Sequence, residues 1–371
     1  MKGYKAFIDK VGLPRLIIGA FFVFLVIAAL LLGLRPGDVF SDVLRRWLMY
    51  SILVLAMVPG IQSGIGLNFG ISLGIVSGLL GSVLAMEFAF TGAWVDKFGT
   101  GGAWLTLLVA LLIGIAFAVV FGILYGMLLN KVKGSEMTVS TYVGFSVIAF
   151  MNIIWLSFTF KNGELIWPMQ GKGLRNVVSL AGSFGGFLSD PDIVAATQPA
   201  WLQWLAFRVG TVSIPLGLII FFLLCCLIVW LFMRSKAGIA MSGAGENQLF
   251  TQSSGINVDK MRILGTTVST VLGAVGIIMY AQTYGFLQLY NAALMMGFAS
   301  VAAILIGGAT VTRASISNVM IGTLLFQGIL AIALPVVNEA LKIGTLPEVL
   351  RIIISNGIIL YALSKTQGGN R

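Results

Sequence analysis

Apolar residues in this chain do not alternate or mark one helical face; they run without interruption. Seven stretches lack Asp, Glu, Lys and Arg altogether, at residues 16–34, 47–86, 98–130, 137–160, 209–233, 263–312 and 314–338. A helix needs about 20 predominantly apolar residues to cross a bilayer, so five of these runs hold one helix each and the two longest hold two. Turn chemistry marks the divisions: Pro59-Gly60 through Gly66 splits the first long run, and the polar stretch 282–291 splits the second. A shorter segment at 347–364 completes about ten predicted helices, with Arg351 near one end, where its side chain reaches the interface. The pattern predicts an all-α polytopic membrane protein forming one transmembrane domain over residues 1–371.

Charge then orients the helices. With the N-terminus inside and loops alternating in side, thirteen basic and four acidic residues fall inside, against ten and nine outside. Cytoplasmic loops carry the excess of Lys and Arg, so both termini are expected in the cytoplasm and the helix number should be even. This leaves 161–207 as an extracytoplasmic segment and 234–262 as a cytoplasmic one. Trp167, Trp201 and Trp204 in the outer segment suit a membrane-interface belt, and its 181–188 portion is expected to dip into the interface. Four basic residues precede the first apolar run, as in a signal peptide. That run is nineteen residues long, however, and Leu34-Arg35-Pro36-Gly37-Asp38 offers no small-residue cleavage site, so a retained first helix is expected.

Composition narrows the chemistry. With 58% apolar and 10% charged residues, the solvent around the helices must be membrane lipid. The net charge of +10 follows from the inside loops and carries no nucleic-acid motif, so no nucleic-acid partner is expected. There is no His, and no acidic cluster spaced to hold a metal. The adjacent Cys225 and Cys226 lie in an apolar run and pack as small hydrophobes. Proton-coupled carriers place carboxylates or His at the midplane; here Glu87, near the outer end of the third helix, is the one acid deep in an apolar context. The same poverty speaks against an intramembrane hydrolase. No Gly-x-x-x-x-Gly-Lys-Ser/Thr occurs, so any ATP and Mg would be bound by another chain, and no cofactor is expected on this one.

Several polar or small residues break the apolar pattern. Gly70-x-x-x-Gly74-x-x-x-Gly78 and Gly122-x-x-x-Gly126 permit close helix approach, within the chain or against another subunit. Asn68, Gln62, Asn152, Gln282, Asn318 and Gln327 are amides in or at the ends of spans. In hydrocarbon they must bond across helices or line water. Beside Phe69, Tyr142, Phe145 and Trp155 they would also suit a neutral polyhydroxylated ligand. Residues 66–74 and 296–308 are similarly Gly-rich at matching places, which hints at two halves of inverted topology around a midplane pathway. On these grounds Asn68, Phe69, Ser72, Asn152 and Trp155 are the expected pathway residues.

The polar stretch 242–257 contains the pattern AGENxxFxxxxGIN. A polar loop between two helices needs no function of its own. This one resembles the cytoplasmic coupling segment of ABC importer permeases of the ribose, galactose and branched-chain amino acid type, with its small residue, Glu or Asn, and a Gly about nine residues on. GIGLNFGISLG from Gly64 is similar to that family's third-helix opening, and Gly307-Gly308 falls in the eighth helix. The long outer segment and Phe69, where an aliphatic residue is common, depart from the sugar-transporting pattern. The resemblance implies a permease subunit of a binding-protein-dependent importer for a monosaccharide or nucleoside, in a bacterial or archaeal cytoplasmic (inner) membrane. It also implies a second permease subunit, identical or related, separate ATPase subunits and an extracytoplasmic solute-binding protein, which the outer segment would help receive unless it is a lid packed on its own subunit. Gly245, Glu246, Asn247, Phe250 and Gly255 would form the ATPase contact, on one short helix over 243–255 with Glu246 and Asn247 near its start. The alternatives are a secondary transporter or facilitator for a small polar solute, and a structural or assembly membrane protein.

Overall fold

The computed structural model describes residues 13–167, 172–341, 349 and 352–360. Its helices are α1 (Leu13–Leu31), α2 (Pro36–Leu55), α3 (Met57–Gln62), α4 (Ser72–Thr91), α5 (Trp94–Phe98), α6 (Thr100–Lys131), α7 (Glu136–Ser157), α8 (Pro191–Thr197), α9 (Leu216–Arg234), α10 (Lys236–Glu246), α11 (Gln248–Ser253), α12 (Val258–Tyr284), α13 (Ala292–Ile306) and α14 (Ile316–Leu341). Among the described residues seven helices are long and apolar enough to cross a membrane, and the shorter Arg15–Leu31 and Ala292–Ile306 are apolar as well. Each of them overlaps a predicted run, although α2 begins at Pro36, ahead of residue 47, and α12 at Val258, ahead of residue 263. The two expected breaks are also present: α3 stops at Gln62, and α12 stops at Tyr284 with α13 starting at Ala292. Of the tenth predicted helix, 347–364, residues 352–360 are helical, and its two ends lie largely outside the described residues.

The bundle is built around α4, which is enclosed by α6, α12 and α13. Between apolar helices lipid competes as well as protein does, so close backbone approach has to hold them together. The glycine stripes supply it inside the chain. A Cβ at Gly74 or Gly78 would overlap the carbonyls of Thr270 or Ala274 on α12, and one at Gly122 or Gly126 would overlap α12 at Thr267 or Ile263. By contrast α6, α7 and α9 turn most of their surface outward, as helices bordering lipid do.

Polar groups gather at the two ends of the bundle. At one end, termed inner, lie the pairs Lys133–Asp259 (2.6 Å), Arg262–Glu136 (2.6 Å) and Arg313–Glu246 (3.2 Å). At the other, the outer segment is ordered by four short strands. β1 (Val177–Ser179) pairs antiparallel with β4 (Phe286–Gln288) after α12, with Val178 opposite Leu287. β2 (Phe207–Val209) and β3 (Val212–Ile214) form a hairpin ahead of α9. The 181–188 portion packs inward, with Phe184 buried and the Gly186 N–H donating to the Gln282 carbonyl at 2.6 Å.

Candidate functional site

The chain between α3 and α4 turns at Gly64 and Gly66, both in the left-handed region at φ of 80° and 81°, which glycine adopts without a Cβ clash. The turn delivers Asn68 inward and Phe69 outward. Asn68 is fully buried; its amide donates to Ser269 Oγ at 3.1 Å and its oxygen accepts from the Tyr125 hydroxyl at 2.9 Å. It therefore ties the opening of α4 to α12 and α6. Phe69 and Ser72 face α7 and α13. There they line a slit with Thr141, Phe145 and Phe298, with ring centroids 5.4 Å apart for Phe69 and Phe298 and 5.9 Å for Phe145 and Phe298. The slit has room for only about 10 Å³ between its walls and is too narrow to hold a solute. Gly144 and Gly297 permit this closeness: a Cβ on the first would press the Phe69 carbonyl, and one on the second would touch Ser72 Oγ. The two glycine-rich runs singled out in the sequence thus meet at one place, where Ser72 Oγ also donates to the Ala293 carbonyl at 3.2 Å.

Asn152 and Trp155 are not part of the slit. Thr141, Phe145, Ile148 and Asn152 follow helical spacing along one face of α7, and Asn152 is half-buried about two turns beyond Phe145. Trp155 is completely buried further out, 6.0 Å from the Phe158 ring, and its carbonyl accepts from the Leu174 N–H at 2.8 Å, which seats the outer segment. Tyr142 is exposed on the outward face of α7. The slit's remaining aromatic wall, Phe298, was legible only as part of the glycine-rich stretch 296–308.

At the inner end the polar stretch forms two helices, whereas one was expected. Asn247 adopts an extended backbone, with φ of −149°, and its side-chain oxygen caps α11 by accepting from the Phe250 N–H at 3.0 Å. Glu246 consequently ends α10, where the helix dipole disfavours an acid, and it is matched by Arg313 at 3.2 Å. Gly255, at φ of 81°, closes α11, and Asn257 caps α12 by accepting from the Lys260 N–H at 3.0 Å. Gly245 lies directly against the Gln62 carbonyl and the Gly64 backbone, so no larger residue fits. Ser242 Oγ donates to Gln62 Oε1 at 2.9 Å, while the Gln62 amide donates to the Ala314 carbonyl. The two segments on either side of the bundle's inner end are joined through that one side chain. Met241, Ala244 and Thr251 point inward, whereas Ile239, Leu249 and Phe250 are 64%, 80% and 69% exposed. Large apolar side chains left this open among the described residues mark a contact surface.

Two buried charges were missed as site elements. Glu87 accepts from the Lys161 and Asn162 main-chain N–H groups at 2.9 and 3.0 Å, which fixes the start of the outer segment to α4. Arg262, 1% exposed, is held by Glu136. Their pairing joins α12 to α7, a long-range contact with no local signature. Among the described residues no group of three or more Cys, Asp or Glu side chains could hold a metal ion, and Cys225 and Cys226 are free thiols.

Membrane-length apolar helices with an aromatic slit beside the opening of α4 and a structured polar segment at one end define a multi-pass membrane protein. Residues 39–363 match the family described as Branched-chain amino acid transport system / permease component, and the chain belongs to that family. Members are permease components of ABC-type transport systems. The chain is also 30% identical over 94 residues to a Tyrosine transport system permease protein of Clostridioides difficile (strain R20291), a match spanning 25% of this chain and 32% of that protein. No solved structure matches.

Proposed function

We propose that this chain is the membrane-spanning subunit of a binding-protein-dependent ABC importer, of about ten helices in two inverted halves with both termini in the cytoplasm of an inner membrane. The observation that carries the reading is the inner-end segment: Leu249 and Phe250 are largely exposed among the described residues while Gly245 and Ser242 hold the same segment on Gln62. A separate ATPase subunit seated on Leu249 and Phe250 would move α10, and α10 would carry the α3–α4 break and the Phe69–Ser72 slit with it. ATP and Mg are bound by that ATPase. The narrow slit corresponds to a closed state, and ATP binding by the partner favours one of two pathway conformations through differential contacts. A second permease subunit completes the pathway, and the outer segment receives a solute-binding protein.

The substrate is a small polar solute with a flat or ring-shaped face. Three phenylalanines beside the Ser72 and Thr141 hydroxyls suit the ring of a monosaccharide or nucleoside. The same phenylalanines favour a second reading, an aromatic amino acid, in keeping with the name of the tyrosine permease relative. Cysteines placed in turn at residues 248–254 and cross-linked in the assembled transporter test the proposal. Capture of the ATPase at Leu249 or Phe250 is expected, and failure at every position in a complex that still transports removes the reading. Tritiated ribose, uridine and tyrosine uptake then separates the substrate classes.

A further inference from the structure

Helices α6 and α7 leave their shared inner turn and part company: α6 stays against α4 and α12, while α7 packs on α4 and the Phe69 turn. The divergence opens a groove of about 320 Å³ on the outward side of the bundle, with Leu73 and Tyr125 as its floor, Leu124 and Leu128 on one wall, and Val147 and Phe150 on the other. Its rims are exposed carbon, with Leu124 58% and Phe150 64% accessible. The one hydroxyl at the floor, that of Tyr125, is committed to Asn68. A trough between two membrane-length helices can be filled by hydrocarbon, and its shape suits one extended chain.

The inner end of the trough is charged. Phe121, Leu124, Leu128 and Lys131 succeed one another at three- and four-residue steps, so Lys131 continues the groove face about 5 Å below Leu128. Lys131 is exposed and has no ion pair among the described residues. Its neighbours are otherwise engaged: Asp259 holds Lys133 at 2.6 Å, and Arg262 holds Glu136 at 2.6 Å. A cation at headgroup depth under a carbon trough attracts a phosphate and disfavours a headgroup that carries its own ammonium.

We infer that an anionic glycerophospholipid binds here, with one acyl chain in the α6–α7 trough and its phosphate at Lys131. The chain lies against the back of Tyr125, so the lipid bears on the Asn68 tie that fixes the α4 opening without entering the slit. The inference is independent of the substrate and of the ATPase partner.

Native mass spectrometry of the purified chain with equal dioleoylphosphatidylglycerol and dioleoylphosphatidylcholine tests it. The wild type should retain the glycerol lipid with about fivefold preference, the equivalent of about 1 kcal/mol for one Lys near an anionic headgroup. Lys131→Gln should bring the two lipids to parity, and Val147→Trp, which fills the trough, should remove the retained lipid altogether. Leu124→Trp serves the same purpose from α6 if Val147→Trp fails to fold. Parity in the wild type, a preference that survives Lys131→Gln, or a lipid count unchanged by both trough-filling variants overturns the assignment. So does a disulfide between Leu124→Cys side chains of two copies, which would mean that a second subunit fills the groove.

Discussion

The outer end of α4 and the α3–α4 break on its inner side each hold a segment outside the membrane, and they do so by different chemistry. At the outer end a buried carboxylate, Glu87, accepts from two main-chain N–H groups of the outer segment. Bonds to an ionised acceptor are roughly twice as strong as neutral ones, and losing this acceptor would leave two donors without a partner. At the inner end the buried part of the contact is neutral: the Gln62 amide bridges Ser242 and Ala314, and Gly245 presses on the Gln62 carbonyl, while the Arg313–Glu246 pair beside it is exposed to solvent and correspondingly weak. A neutral, half-buried junction can be remade at modest cost, whereas the charged one cannot. The difference assigns rigidity to the outer attachment and rearrangement to the inner one, which on the proposed reading is the division that a transporter driven from its inner side requires.

The largest effect should follow from breaking the outer attachment. Glu87→Ala is expected to destabilise the protein by about 3 kcal/mol in detergent, with new protease cleavage within 161–207, and Glu87→Gln by about half as much, since one carbonyl acceptor remains. If thermal unfolding and proteolysis are both unchanged, the outer segment is held by its packing on α12 alone. Next comes Gly245→Val, which forces α10 away from the Gln62 carbonyl. Overpacking of this kind costs about 2 kcal/mol, and on the proposed reading transport should fall further than ATP hydrolysis in the assembled complex. Equal loss of both would place the joint elsewhere. Gln62→Ala removes two neutral hydrogen bonds at a half-buried site and should cost about 1 kcal/mol, with the same uncoupling in weaker form. A cost matching that of Glu87→Ala, measured in the same detergent, would erase the distinction between the ends.

The sequence made some of this comparison legible and hid the rest. Membrane-length helices could be read because charge-free runs have one physical explanation, and the α3–α4 and α12–α13 breaks because Pro, Gly and amides punctuate them. The glycine stripes were visible, but only the fold selects packing on α12 over contact with another subunit. Asn68 and Phe69 are neighbours in sequence and face opposite ways, one tied to Ser269 and Tyr125 and the other to the slit. No periodicity distinguishes them, because the turn at Gly64 and Gly66 sets their directions. Asn152 and Trp155 share a helix face with Phe145, yet rise along α7 carries them away from the slit toward the outer segment. Glu246 was misplaced on its helix because an Asn three residues before a main-chain donor is a better cap than a helix interior. The partners of Glu87, Gln62 and Arg262 are 74 to 252 residues away in sequence, a separation that local patterns do not encode.

The smallest effect on stability should come from the residue with the clearest outward role. Phe250 caps nothing, bonds nothing with its side chain and is 69% exposed, while Asn247 and Gly255 on either side shape α11 itself. Exposed substitutions away from caps and buried contacts stay within about 0.5 kcal/mol, so Phe250→Ser should leave unfolding unchanged. Removing an aromatic anchor from a contact surface is another matter, since such anchors contribute a large part of interface affinity. Co-purification of the ATPase with the Phe250→Ser chain is therefore expected to drop at least tenfold, whereas Gln62→Ala, which leaves the surface intact, should keep the ATPase bound while transport declines. If Phe250→Ser instead lowers stability by as much as Gln62→Ala and leaves co-purification intact, Phe250 packs within its own subunit. The inner end would then be as fixed as the outer one.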